Sequence, residues 1–166
     1  MPHDALYEER VSSCWTQALF WSLTAIFLVL LAWRMATAGP NTLSFFLLTA
    51  SLLFLFYSLN FRTLVIRITS KALKLRFGIF ACTLPLDNVQ DCCHDDLPSL
   101  MRYGGAGIHF MFIHRRYRAS FNFLEHPRVV IALRRPNIMR DVSFSTQRPD
   151  EVIRLLSAAL PTPSAA

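Results

Sequence analysis

The chain has 166 residues, 53% of them hydrophobic, with 17 basic and 11 acidic side chains and a formal net charge of +6. This length leaves room for one modest folded domain and a small membrane element, but not for a second large domain. The charge is distributed very unevenly. Only Arg10 and Arg34 among the basic residues, and Asp4, Glu8 and Glu9 among the acidic ones, precede Arg62.

Val11–Trp33 contains no charged residue, nor does Met35–Phe61. A helix needs about 20 apolar residues to cross the roughly 30 Å hydrocarbon core of a bilayer. Two spans, 11–33 and 43–61, meet this requirement. In lipid the backbone must satisfy its own hydrogen bonds, which makes both spans helices. Trp15, Trp33 and Tyr57 lie near the span ends, where amphipathic rings favour the membrane interface. The link Ala36-Thr37-Ala38-Gly39-Pro40-Asn41 carries Gly-Pro turn chemistry and is short enough to force an antiparallel hairpin. Ala36-Thr37-Ala38 has the small residues of a leader cleavage site. The segment before the first span is acidic, however, and a second span follows at once, so an anchor is expected here and not a leader.

Arg62, Arg67, Lys71, Lys74 and Arg76 follow the second span closely, whereas the hairpin loop has only Arg34 at its edge. The positive-inside rule then puts both termini on the cytoplasmic face of the inner (plasma) membrane. Cys14, Cys82, Cys92 and Cys93 show no disulfide-framework spacing, in keeping with a reducing compartment.

From Arg62 the hydrophobic period changes to two. Leu64, Ile66 and Ile68 alternate with Val65, Arg67 and Thr69, and Leu73, Leu75 and Phe77 alternate with Lys74 and Arg76. After Gly78 a third short strand covers Ile79–Leu84, which completes a meander. Leu84–Val89 reads as an edge strand because Pro85 cannot donate to a ladder. The stretch 91–107 is irregular. Strand character returns at Ile108–His114, Ala119–Leu124, Arg128–Leu133 and Met139–Phe144. Pro149, Asp150 and Glu151 suit a helix N-terminus, and Val152, Leu155, Leu156, Ala159 and Leu160 form one apolar stripe. The expected organisation is a tail and transmembrane hairpin over 1–61, a cytoplasmic domain of about seven strands and a final helix over 62–160, and a disordered tail over 161–166. The fold class is an α+β membrane protein.

Two N-terminal spans followed by VIRITSKALKLRFGIFACTLPLDNVQD resemble the membrane-anchored bacterial pleckstrin-homology-like domains. The shared features are the Phe77-Gly78 turn, the Leu84–Val89 step, the Tyr103–Ile108 glycine-rich stretch and the Phe144…Pro149–Val152 lead into the last helix. The resemblance covers roughly residues 62–160. It implies a barrel or sandwich scaffold that binds lipids or peptides, and it assigns no catalytic residue. The fold itself carries many functions.

Three groups of side chains are candidates for function. Arg62, Arg67, Lys71, Lys74 and Arg76 lie on or beside the first hairpin of the domain. There they either meet anionic headgroups, at about 1 kcal/mol per basic residue near the surface, or form an ordinary solvated strand face. Arg115, Arg116 and Arg118 form a second basic cluster around a turn with Tyr117 and could meet lipid, an acidic partner or water. Cys92, Cys93 and His94, followed by Asp95 and Asp96, include metal-ligand types. Adjacent cysteines on an extended chain point to opposite faces, which disfavours a shared zinc. His109, His114 and His126 could join them only if the fold gathers them. Gly104-Gly105-Ala106-Gly107 lacks the Lys-Ser/Thr of a phosphate loop. No catalytic set is apparent, no cofactor is expected, and nucleic acid is a poor fit to a tethered domain. The expected role is a non-enzymatic module that binds the bilayer, a membrane or cytoplasmic protein, or both, with a metal- or redox-linked accessory role as the alternative.

Overall fold

The computed structural model describes residues 5–97, 107–113, 116–123, 125–135 and 139–159. It is α+β, with two long apolar helices, two β-sheets and a C-terminal helix. Helix α1 runs Cys14–Ala38 and α2 runs Thr42–Asn60. Both are long and apolar enough to cross a membrane. Each has a side-chain N-cap: Ser13 Oγ accepts from the Thr16 N–H at 3.0 Å, and Asn41 Oδ1 accepts from the Ser44 N–H at 3.0 Å. Gly39, at φ +66°, ends α1 in a backbone region that favours glycine.

The two helices pair side by side through small and polar residues. Thr16 and Thr24 of α1 are buried, as are Ser44, Ser51 and Ser58 of α2, the last three spaced by sevens. Phe20 stacks on Tyr57 and Phe27 on Phe54. The outer faces carry Val29, Trp33, Phe45 and Phe46 largely exposed. Nothing in the described chain covers these faces.

The first sheet has the order β1-β2-β3-β4: β1 Ala5–Ser12, β2 Thr63–Thr69, β3 Ala72–Phe77 and β4 Phe80–Pro85. The β2–β3–β4 meander is the one the alternation predicts. β1 is an addition. The sequence places residues 1–61 outside the domain and starts the first span at Val11, but Val11 and Ser12 belong to a strand antiparallel to β2, with Ser12 opposite Thr63. After Pro85 the chain makes a short 3₁₀ turn at Leu86–Asn88, so the expected edge strand over Leu84–Val89 is in fact a strand end, a turn and the start of β5.

The second sheet has the order β5-β8-β9-β7-β6: β5 Val89–His94, β6 Gly107–Ile113, β7 Arg116–Asn122, β8 Arg128–Leu133 and β9 Asp141–Ser145. β7 and β9 run parallel and the other neighbours antiparallel. The described strands number nine, against the seven expected, and they form two separate sheets. No described strand pair closes these into a barrel.

The inner faces pack Ile66, Leu75 and Phe77 with Phe121, Phe123, Ile131 and Phe144. Helix α3, Pro149–Ala159, buries Val152 and Leu156 fully and packs on β5 and β8. An unbroken line of rings joins the helix pair to this core. Tyr57 lies 5.3 Å from Phe61, Phe61 lies 5.4 Å from Phe77, and Phe77 lies 5.2 Å from Phe123, centroid to centroid. Only Ser13 separates β1 from α1, and only Phe61 and Arg62 separate α2 from β2. The hairpin and the sheets are thus joined by short links and continuous packing.

The expected strand end at His114, the Gly104–Ala106 run, Arg115 and the 161–166 tail lie outside the described residues.

Candidate functional site

The side of the first sheet facing away from the core is the basic one. Register sets this out in rows. Arg10, Val65 and Arg76 face one another across β1, β2 and β3, and Glu8, Arg67 and Lys74 form the next row. Because side chains alternate along each strand, Leu64, Ile66, Leu73 and Leu75 go to the core and the charged residues go outward. These rows line an open groove of about 660 Å³, bounded also by Thr63 and Gly78. The groove presents Arg10, Arg67, Lys74 and Arg76 against the single acid Glu8.

Glu8 is shared. Its carboxylate lies 3.2 Å from the Arg67 guanidinium and 3.7 Å from that of Arg10. These are exposed pairs, which contribute little to stability in water. One donor is left over: Arg67 Nε is shielded from solvent and has no acceptor among the described residues. Four cations against one carboxylate leave the open groove net positive, which suits an anion with several oxygens. Arg76 Nε donates to the Gly78 carbonyl at 2.9 Å, which holds that guanidinium beside the β3–β4 turn.

The sequence candidates therefore separate. Arg67, Lys74 and Arg76 line one groove. Arg10 joins them from β1, a strand that the hydrophobic pattern of the tail does not reveal. Arg62 is exposed in the link after α2, and Lys71 is exposed at the opposite end of the β2–β3 hairpin. Neither lines the groove.

Arg116 and Arg118 are not a free basic turn. They belong to β7, and Arg118 is buried, donating to Asp95 at 3.0 Å with Asp141 3.9 Å away. Arg116 reaches Asp141 at 3.4 Å, and Arg128 lies 3.9 Å from Asp95. Two arginines and two aspartates, each nearly inaccessible, offset one another on the outer face of the second sheet. A buried pair of this kind is costly to break from one side. Next to it, Ser120 and Ser143 hydrogen bond at 2.7 Å across the parallel pair. His109 is pushed below its ordinary value, first by burial and then by the Arg128 charge.

Cys92, Cys93 and His94 lie in strand β5, and their side chains go three ways. Cys92 is buried in the core, and burial, then Cys93 and Asp91, push its thiol up to about 12. Cys93 is on the opposite face, its thiol also raised, by burial and then by the Asp91 and Asp96 carboxylates. His94 Nε2 pairs with Asp150 Oδ1 at 3.0 Å, which ties β5 to the first turn of α3. Thiols raised in this way stay protonated at neutral pH and are poor nucleophiles and metal ligands. Among the described residues, no three His, Cys, Asp or Glu side chains are grouped to hold a metal.

Comparison with known protein families, with characterised proteins and with solved structures finds no match to this chain.

Proposed function

We propose that this chain is a non-enzymatic, membrane-anchored module of pleckstrin-homology-like architecture. In this reading its α1–α2 hairpin spans the inner membrane, and its four-stranded sheet meets the anionic cytoplasmic leaflet. The observation that carries the reading is the groove of Arg10, Arg67, Lys74 and Arg76 on a sheet whose strands run directly into both apolar helices. Each basic group held at such a surface contributes about 1 kcal/mol. The uncovered apolar flanks of α1 and α2 support the anchor, because lipid is the solvent that matches them. Pairing of β1 with β2 supports an even number of crossings, since strands on either side of the helix pair must share one compartment. The excess of basic residues after α2 supports the cytoplasmic side.

The full chain in nanodiscs tests this. In discs containing phosphatidylglycerol, the β1–β3 amides should exchange more slowly than in phosphatidylcholine discs, and added salt should remove the difference. Lys74→Glu with Arg76→Glu should abolish it. Equal exchange in both lipids would leave the groove to an acidic segment of a membrane or cytoplasmic protein, which affinity purification in mild detergent would recover.

A further inference from the structure

The turn between β3 and β4 touches the end of α2. Its two central residues, Gly78 and Ile79, connect the Phe77–Phe80 pair. Gly78 has φ +50°, and a Cβ built there would lie 2.7 Å from Asn60 Oδ1 and 2.8 Å from the Asn60 carbonyl oxygen. Only glycine permits this approach. The Ile79 N–H donates to Asn60 Oδ1 at 3.4 Å. The Phe80 ring stacks on Phe61 at 5.9 Å and meets Phe56 edge-on at 6.4 Å. The turn is therefore level with the last turn of α2. Ile79 is nonetheless 72% exposed.

In a two-residue hairpin turn with glycine first, the glycine supplies the positive φ, and no turn type calls for a β-branched residue second. A β-branched apolar side chain at that apex is thus not demanded by the turn, and with the exposed rings of Phe80 and Phe56, which meet each other, it makes one apolar patch. Its height explains it. The 19 residues of α2 extend about 28 Å, close to the roughly 30 Å hydrocarbon thickness, so residues 56–60 fall at the boundary of that layer. Trp15, in the first turn of α1 and 74% exposed, marks the same level on the other helix.

We propose that Gly78–Phe80 is a membrane-seating wedge: Ile79 enters the interfacial layer beside α2 and fixes the height at which the basic groove faces the headgroups. This rests on the membrane-anchored reading above. Arg76, held to the Gly78 carbonyl, then sits at headgroup level immediately behind the wedge. The occupant is the bilayer, because the turn is continuous with the lipid-facing surface of α2 through Phe56 and Phe80.

The test uses the full chain in phosphatidylcholine nanodiscs, where the groove's charge has no anionic lipid to act on. An environment-sensitive fluorophore is placed on Ile79→Cys, Lys71→Cys or Leu52→Cys in a Cys14→Ser, Cys93→Ser background. Cys82 and Cys92, both raised by burial, label slowly at neutral pH. Leu52 reports the middle of α2, and Lys71 reports the far hairpin turn, about 20 Å along β3. The expected result is a blue-shifted label at 79, quenched by lipids with a nitroxide near the headgroup and protected from iodide, while the label at 71 is quenched by iodide. A label at 79 that iodide quenches as readily as at 71, with position 52 in lipid, overturns the wedge and leaves the anchor standing. A label at 52 in water overturns both.

Discussion

The backbone N–H of Gln147 donates to Oε1 of Glu9 across 2.8 Å, which joins the first described strand to the segment that leads into α3. The other carboxylate oxygen of Glu9 accepts from the hydroxyls of Tyr7, at 2.9 Å, and Thr146. Hydrogen bonds to a charged group are worth about 1.5–3 kcal/mol each, and losing an acceptor leaves the donors to find water. Glu9→Ala should therefore lower the stability of the full chain in detergent by about 2 kcal/mol, read from its thermal midpoint. Tyr7→Phe, which removes only one donor, should cost about half as much.

Gly78→Ala should destabilise the β3–β4 turn by about 2 kcal/mol, combining a positive φ with contact against Asn60. The two causes can be separated. In an Asn60→Gly background the Oδ1 contact is gone, so Gly78→Ala should cost less there, and the double-mutant cycle should show coupling. A purely additive cycle would mean that the cost comes from the positive φ and from the Asn60 carbonyl, which stays in every variant, and not from the Asn60 side chain.

His109 gives the domain a pH dependence of defined sign. Its folded value lies below the unfolded 6.5, first through burial and then through Arg128. The neutral ring is the form the fold favours, so this contribution is complete above the unfolded value and is lost as pH falls below it. The thermal midpoint should drop as pH falls below the unfolded value of 6.5, and His109→Gln should flatten that drop.

Ser51 is buried between α1 and α2, with its hydroxyl donating to the Leu48 carbonyl at 2.8 Å. Small residues at such positions let helices approach closely. Ser51→Leu should force the helices apart, disturb the Phe27–Phe54 stack and cost about 1–3 kcal/mol. Leu52→Ser, on the exposed flank, should leave the pairing intact. Resistance to unfolding in a graded detergent mixture reads both.

The helices and the β2–β4 meander were legible because each rests on a local pattern: charge-free runs in the first case, strict alternation in the second. β1 was not, for two reasons. Its inward side carries Glu9 between Tyr7 and Val11, a charge at a position the pattern reserves for apolar residues, placed there to bind Thr146 and Gln147. Its end also merges without a break into the apolar run of α1. Arg116 and Arg118 read as part of a basic cluster because nothing near them in sequence neutralises them, and the acids that do are Asp95 and Asp141. Three of the four basic residues of the groove, Arg67, Lys74 and Arg76, were visible in the alternation of the first hairpin. Arg10 was hidden with its strand.

β1 and β2 are neighbours in one sheet, yet the whole of α1 and α2 lies between them in the chain. During synthesis Ala5–Ser12 emerges first and has no partner until Thr63–Thr69 appears, after both helices have left the ribosome. In a membrane-anchored chain this makes completion of the sheet a checkpoint on insertion. If one helix fails to cross, β1 and β2 end in different compartments, and β2 is left with an open edge beside Leu64, Ile66 and Ile68. Such a chain displays an unpaired strand edge and apolar surface, the features that make an incompletely folded chain prone to aggregate, so a wrongly threaded copy would be set apart by its own unfinished domain.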